Sequence, residues 1–466
     1  MMMRRDRVSA VCLLILVLAA FPGALRAADP SDYSEIAGRI IDAALRNQGA
    51  WEKLQYLCDR IGARPGGSPQ LEAAVEWAAA EMRRDGLEDV ELQPVEVTHW
   101  VRGDEQAWIQ TPVFSRLHML GLGRSIGTPP GGISAPIVVV SSFDELLAMD
   151  RSQVEGRIVV FNAPFQGYGR TAAYRTRGAS RAAAKGAVAV LVRSVTPVSL
   201  RSPHTGTLVY EEGSPRIPGA AISIEDALLL QRLFDSGEPV VVHLEMGART
   251  LPPARSANVV GEIRGRELPG DVVVLGAHLD SWDVGQGAHD DGAGVAVCME
   301  TARLLLELGL RPRRTLRVVL FTDEENGGLG GEVYRQRLGD TVGNHVAAIE
   351  LDSGAEAPAG FGLGGTMPEA EFARALARAQ EIGRLLAGIE ARGVSAGGGG
   401  ADIAPLMRAG VPGLGLRTVG RRYFEWHHSE ADTLDKVDLG DLRKNLAAAA
   451  VTAFVLADLP VRLTAP

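Results

Sequence analysis

After Asp29 the chain reads as helical to about Arg84. Ile36, Ile40, Ile41, Ala44 and Leu45 share one helix face, and Leu71, Ala74, Trp77 and Met82 repeat the spacing. Residues 88–100 alternate in the manner of a strand. From about Gln110 to Gly247 the texture changes: short β runs such as 135–140 and 157–161 stand between Gly and Pro turns, and one Ala-rich helix (179–185) precedes another strand (187–192). From about Ser256 an α/β rhythm takes over. Near-continuous apolar strands at 271–276, 315–321, 346–351 and 414–418 alternate with helices at 293–308, 333–338, 369–386 and 439–456. Strands without a polar face must be covered on both sides, which implies an α/β fold with a mostly parallel or mixed central sheet flanked by helices. Residues 28–109 and 248–466 are expected to form that domain, and 110–247 a smaller β-rich insertion.

The first 27 residues stand apart. Arg4, Arg5 and Arg7 precede an apolar run from Val8 to Phe21, with small residues near Ala27 and Ala28. A run of 14 residues falls short of the roughly 20 that span a bilayer as a helix, so a cleaved export signal is expected. Its removal takes away four arginines and one aspartate and moves the formal net charge from −9 to −12. That sign argues against nucleic acid or an anionic membrane surface as the main partner. Beyond export no membrane association is expected, and the destination is periplasmic or secreted, or lysosomal or extracellular in a eukaryote. Of three cysteines, Cys12 leaves with the signal; Cys58 and Cys298 read as buried thiols, although an oxidising compartment permits their pairing.

Chemistry gathers at the carboxyl ends of the strands, where open α/β sheets bind ligands. One strand runs into His278-Leu-Asp280, followed by a loop with His289-Asp290-Asp291-Gly292. The next ends in Asp323-Glu324-Glu325-Asn326, a third in Asp352-Ser353-Gly354, and a late loop carries His427-His428-Ser429-Glu430-Ala431-Asp432-Thr433. So many carboxylates on one rim repel each other unless a cation neutralises them, and imidazoles among them favour zinc over calcium or magnesium. Tyr168, Tyr174 and Arg175 read as part of a Gly-rich loop, either solvated or overhanging a cleft. Arg421 and Arg422 are open to the same two readings, the cleft one being a clamp on a peptide carboxylate.

The run Gly276-Ala-His278-Leu-Asp280-Ser-Trp-Asp-Val-Gly-Gln-Gly-Ala-His-Asp290-Asp291-Gly-Ala-Gly resembles the signature of co-catalytic zinc exopeptidases, and most of all their carboxypeptidase Q branch. The similarity extends over the mature chain, and the insertion resembles a protease-associated domain. The resemblance implies two zinc ions per chain. One would be held by His278 and Asp352, the other by Glu325 and His428, with Asp290 bridging. Glu324 would be the general base and Asp280 the carboxylate that fixes the His278 tautomer. It also implies a cis bond between Asp290 and Asp291. His428 is preferred to His427 because the family ligand stands four residues before the Asp of Asp432-Thr433. The implied activity is hydrolysis of small peptides or dipeptides with free termini. A strict aminopeptidase, a glutaminyl cyclase-like acyltransferase, an amino-acid deacylase and a silent receptor-like relative are the alternatives. The family often dimerises, but no feature of this sequence establishes a homodimer.

Overall fold

The computed structural model describes residues 30–466, so the leader read in residues 1–27 lies outside the described part. One eight-stranded sheet contains, in spatial order, Glu88–Val97, Ala254–Ile263, Arg314–Phe321, Leu268–His278, His345–Glu350, Gly413–Thr418, Pro358–Gly364 and Gly393–Ala396. Arg314–Phe321, Leu268–His278, His345–Glu350 and Gly413–Thr418 run parallel at its centre, and antiparallel partners join on either side. The expected mixed α/β sheet is therefore present.

Alternation along Leu268–His278 explains its unbroken apolar run. Val273, Leu275 and Ala277 enter a core shared with helices Ala293–Glu307 and Leu439–Asp458, while Val272 and Val274 face Tyr334, Ile403 and Leu406 on the opposite side. Each fully buried Val or Leu contributes roughly 1.5–3 kcal/mol, so both faces hold the strand ends in place. Helix Leu439–Asp458 is capped by the Asp438 carboxylate, which accepts the Asp441 N–H at 2.9 Å, and from Leu446 to its end every residue is buried.

A second eight-stranded sheet takes its strands from between Glu105 and Met246. Helix Ile224–Asp235 covers one face through Ala227 and Leu230, and helix Tyr168–Ala184 the other through Ala179 and Ala182. The chain passes between the two sheets along a two-stranded antiparallel ribbon, Trp100–Val101 with Arg249–Thr250. Helix Tyr168–Ala184 corrects the sequence reading, which placed a loop at its first two turns. Gly169 and Gly178 disguised it. Gly178 serves close packing, since a Cβ there would stand 2.9 Å from the Phe161 ring. Cys58 and Cys298 are free, buried thiols.

Arg64 is fully buried beneath the loop joining His278 to Asp290. Its Nε donates to the Leu279 carbonyl (2.8 Å), NH1 to those of Gly62 and Gln286 (both 2.8 Å) and NH2 to that of Gly287 (3.1 Å). One planar side chain thus satisfies four carbonyls, those of Leu279 and Gly287 buried and those of Gly62 and Gln286 partly so. Arg64→Met is expected to cost at least about 3 kcal/mol of stability because several buried acceptors lose their donors. A shift of the urea midpoint well below that size, at unchanged slope, would show the loop to be held by other contacts.

Candidate active site

Three neighbouring parallel strands finish at one rim. Leu268–His278 ends on His278, Arg314–Phe321 leads into Glu324 and Glu325, and His345–Glu350 leads into Asp352. Asp290 lies in the turn before helix Ala293–Glu307, and His428 in the loop after helix Tyr423–Trp426, with a left-handed backbone (φ 59°). The side chains meet around Asp290. Its Oδ1 lies 3.1 Å from His278 Nε2, which is 3.9 Å from Asp352 Oδ1. Its Oδ2 lies 3.2 Å from His428 Nε2, which is 3.4 Å from Glu325 Oε2. His427 is also close, with Nε2 3.6 Å from the same Oδ2 and its ring stacked on that of His428. Only His428 also faces Glu325 at such a distance.

A second layer holds these groups. Asp280 behaves differently from the expectation. The Asp280 backbone carbonyl, at 3.0 Å, is the partner of His278 Nδ1, and its carboxylate stands 3.7 Å away. That carboxylate instead accepts the backbone N–H groups of Glu324 (3.1 Å) and Glu325 (3.2 Å), so it orients both glutamates. The Asp290–Asp291 bond is cis. Asp291 accepts the His278 N–H (3.1 Å) and the Gly294 N–H (3.2 Å). Asp432, used in the sequence only as a counting mark, accepts the N–H groups of His289 (2.7 Å) and Asp290 (3.2 Å).

The other sheet supplies a further set of supports that sequence reasoning missed. The Thr205 carbonyl is 3.3 Å from His428 Nδ1, and its N–H donates to the His428 carbonyl at 2.9 Å. His204 Nδ1 meets the His427 carbonyl at 2.6 Å, and the Thr207 hydroxyl donates to the Glu325 carbonyl. A single short segment thereby touches both residues of the Glu325–His428 pair. Above the rim lies a cavity of about 850 Å³, lined by Asp290, Glu324, Glu325, Asp352 and His428 below and by Tyr168, Arg175 and Thr207 from the second sheet.

The peptidase family M28 model matches residues 258–453. Carboxypeptidase Q of Mus musculus is 43% identical over 92% of this chain and 90% of its own length. The chain belongs to peptidase family M28. It is a zinc-dependent exopeptidase, as that family and its carboxypeptidase Q relatives establish. The crystal structure of a peptidase M28 precursor from Shewanella amazonensis superposes with a TM-score of 0.87 at 35% identity, covering 94% of this chain and 99% of that one. A zinc aminopeptidase from Bacillus subtilis shares the fold, with a TM-score of 0.65 at 20% identity over 89% of this chain and 96% of its own.

Other polar residues of this M28 peptidase lie around the cavity or away from it. His289 is buried behind the site, its Nδ1 accepting the Ala355 N–H at 3.0 Å, and it does not line the cavity. His427 does line it. Asp283 pairs with Arg102 at 2.6 Å, and Asp323 accepts the Thr98 N–H at 3.0 Å. Both Asp402 carboxylate oxygens are buried without a hydrogen-bond donor among the described residues, and Glu350 accepts the Ile403 N–H beside it. Arg422 pairs with Glu425 at 2.9 Å on the surface, and neither it nor Arg421 reaches the cavity.

The donor set fits zinc. His278, Asp290 and Asp352 offer ligand atoms within 4.8 Å of one another, as do Asp290, His427 and His428. Asp290 Oδ2 and Glu325 Oε1 are buried oxygens without a hydrogen-bond donor among the described residues, a costly state that a cation relieves. The proton affinities agree. Burial pushes the Glu324 carboxyl up to about 8 and that of Asp352 up to about 6. Burial opposes charge on His278 too, yet Asp280 and Asp290 hold its imidazole well above the usual value. Both shifts favour the protonated forms of Glu324 and His278 in the zinc-free site. Cations favour the carboxylate, and a ligating imidazole must be neutral, so zinc binding is expected to release at least about one proton per chain. Titration calorimetry of the zinc-free protein in buffers of different ionisation enthalpy reads this number, and a value of zero would contradict it.

Proposed function

We propose that this enzyme works with two zinc ions, one held by His278 and Asp352 and one by Glu325 and His428, with Asp290 shared. The observation that supports the pair is the division of Asp290, which turns one oxygen toward each histidine at 3.1 and 3.2 Å. Zinc at these positions supplies Lewis acidity, which polarises the scissile carbonyl and makes water acidic enough to attack at neutral pH.

Glu324 is the general base. It lines the cavity, and its backbone is fixed by Asp280 rather than left to the loop. Its carboxylate takes the proton of the attacking water and returns it to the leaving amine. Glu325 is unsuited to that task, because its oxygen faces His428 and its lone pairs serve the metal. Asp280 fixes the two glutamates, and through its backbone carbonyl it selects the His278 tautomer that leaves Nε2 free.

The substrates we assign are dipeptides and other small peptides with free termini. A cavity of about 850 Å³ lined on one side by Tyr168 and Arg175 suits a short peptide, and the carboxypeptidase Q relatives point to the same class. The leader at residues 1–27 suits export, and no helix among the described residues is long and apolar enough to cross a membrane. The segment 110–247 we read as an inserted protease-associated domain whose role is to wall the cavity.

Glu324→Gln is expected to lower kcat by roughly 100- to 10,000-fold while zinc content stays at the wild-type level. His428→Ala is expected to lose bound zinc by elemental analysis. Near-normal turnover by Glu324→Gln would sink the assignment of the base. A panel of free, N-blocked and C-amidated dipeptides separates the dipeptidase reading from a strict aminopeptidase, which would cleave the amides as readily as the acids.

A further inference from the structure

Arg175 is a cation in the wrong surroundings for a structural residue. It is 6% exposed, and among the described residues no carboxylate forms an ion pair with it. Arg314, buried to a similar degree, pairs with Asp271 at 3.1 Å, and Arg64 has a carbonyl on each of its nitrogens. Arg175 has less. NH1 donates to the Thr205 carbonyl (3.0 Å) and lies 3.3 Å from His428 Nδ1, NH2 donates to the Tyr168 hydroxyl (2.8 Å), and Nε has no acceptor. A buried charge without a counter-charge costs several kcal/mol, so an anion is expected to complete the site.

The position of the guanidinium says which anion. It lines the active-site cavity beside His428, on the side supplied by the second sheet. Space is reserved for it: a Cβ on Gly206, whose φ is +137°, would stand 2.2 Å from Arg175 Cζ. On the rim side the cavity is lined by Asp290, Glu324, Glu325 and Asp352, whose charge the proposed zinc ions balance, whereas Arg175 has no counter-charge. A short peptide with its scissile carbonyl at the rim therefore gains most by turning its carboxylate toward the second sheet. The other arginines lining the cavity, Arg124 and Arg417, are exposed, and water already solvates them.

We propose that Arg175 is a specificity-determining residue that receives the α-carboxylate of the substrate residue on the leaving side of the scissile bond. Nε is buried against Gly206, so the contact is made by an N–H of a terminal nitrogen, donated to one carboxylate oxygen as a charge-assisted hydrogen bond. The Tyr168 hydroxyl, which accepts from NH2, keeps its own O–H to donate to the same group. A carboxylate held there places the substrate C-terminus against the insertion, which thereby reads whether that terminus is free. This rests on the dipeptidase reading and names the group that enforces it.

The test compares kcat/KM for a dipeptide and for its C-terminal amide in the zinc-loaded full-length enzyme and its Arg175→Gln and Arg175→Lys variants. In the wild type the acid is expected to be the better substrate. Arg175→Gln is expected to reduce the acid-to-amide ratio by about 10- to 100-fold, the range of a lost charge-assisted pair, mainly through KM. Arg175→Lys should fall between, and zinc content should match the wild type in both. An unchanged ratio with activity lost on acid and amide alike, or with zinc lost, would overturn the proposal and leave Arg175 as a support for Thr205 and His428. If Arg175→Gln fails to fold, Arg175→Lys and Tyr168→Phe decide by the same ratio. A wild type indifferent to amidation would instead refute the dipeptidase reading, and this proposal with it.

Discussion

The constraint on which the rest depends is the crowding of desolvated carboxylates at the end of one sheet. Asp290, Asp291, Glu324, Glu325, Glu350 and Asp402 are all buried or nearly so, and Asp352 is close beside them. Burial drives most of their carboxyls upward: Glu350 to about 7, and Glu325, Asp291 and Asp402 well above the usual range. Asp290 is the exception. Burial opposes its charge as well, yet the His278 and His428 imidazoles beside it hold it well below. The centre of the cluster stays ionised while its surroundings resist ionisation, which is the electrostatic pattern that divalent cations complete. Apolar packing on both faces of Leu268–His278 and its neighbours keeps the repelling groups at one rim.

Much of this was legible in the chain. Apolar runs at 271–276, 315–321 and 346–351 announced strands covered on both sides, and the polar residues closing each run announced where the chemistry lies. The periodic signal is strong there because burial on two faces leaves no polar positions to blur it. The ranking of His428 over His427 came from spacing to Asp432, and the observed contact with Glu325 favours the same residue. Asp280 shows the limit of such reading. The motif places it beside His278, but the partner of its carboxylate depends on which backbone atoms face it, and no spacing encodes that.

The insertion was the harder part. Its ionisable residues form no spaced cluster, and the glycines at 169 and 178 made a helix look like a loop. Arg175 acquires meaning only when that helix is stacked over a rim more than a hundred residues away in sequence. Thr205 and Thr207 act through backbone carbonyls and a hydroxyl, groups that any sequence carries in abundance. Arg64 is similar, since four carbonyls from three stretches of the chain converge on it without any motif.

The ribbon of Trp100–Val101 and Arg249–Thr250 makes the second sheet look detachable, because entry and exit run side by side. The 204–207 segment gives that outline a different meaning. His278 and Asp352 are carried by the first sheet alone, whereas Glu325 and His428 are also gripped from across the cleft. The two histidine–carboxylate pairs thus differ in support, one held by its own sheet and one held jointly. Any exchange of the insertion between related chains would alter the second pair first, so the graft junction that looks simplest in topology is the one most entangled with the site.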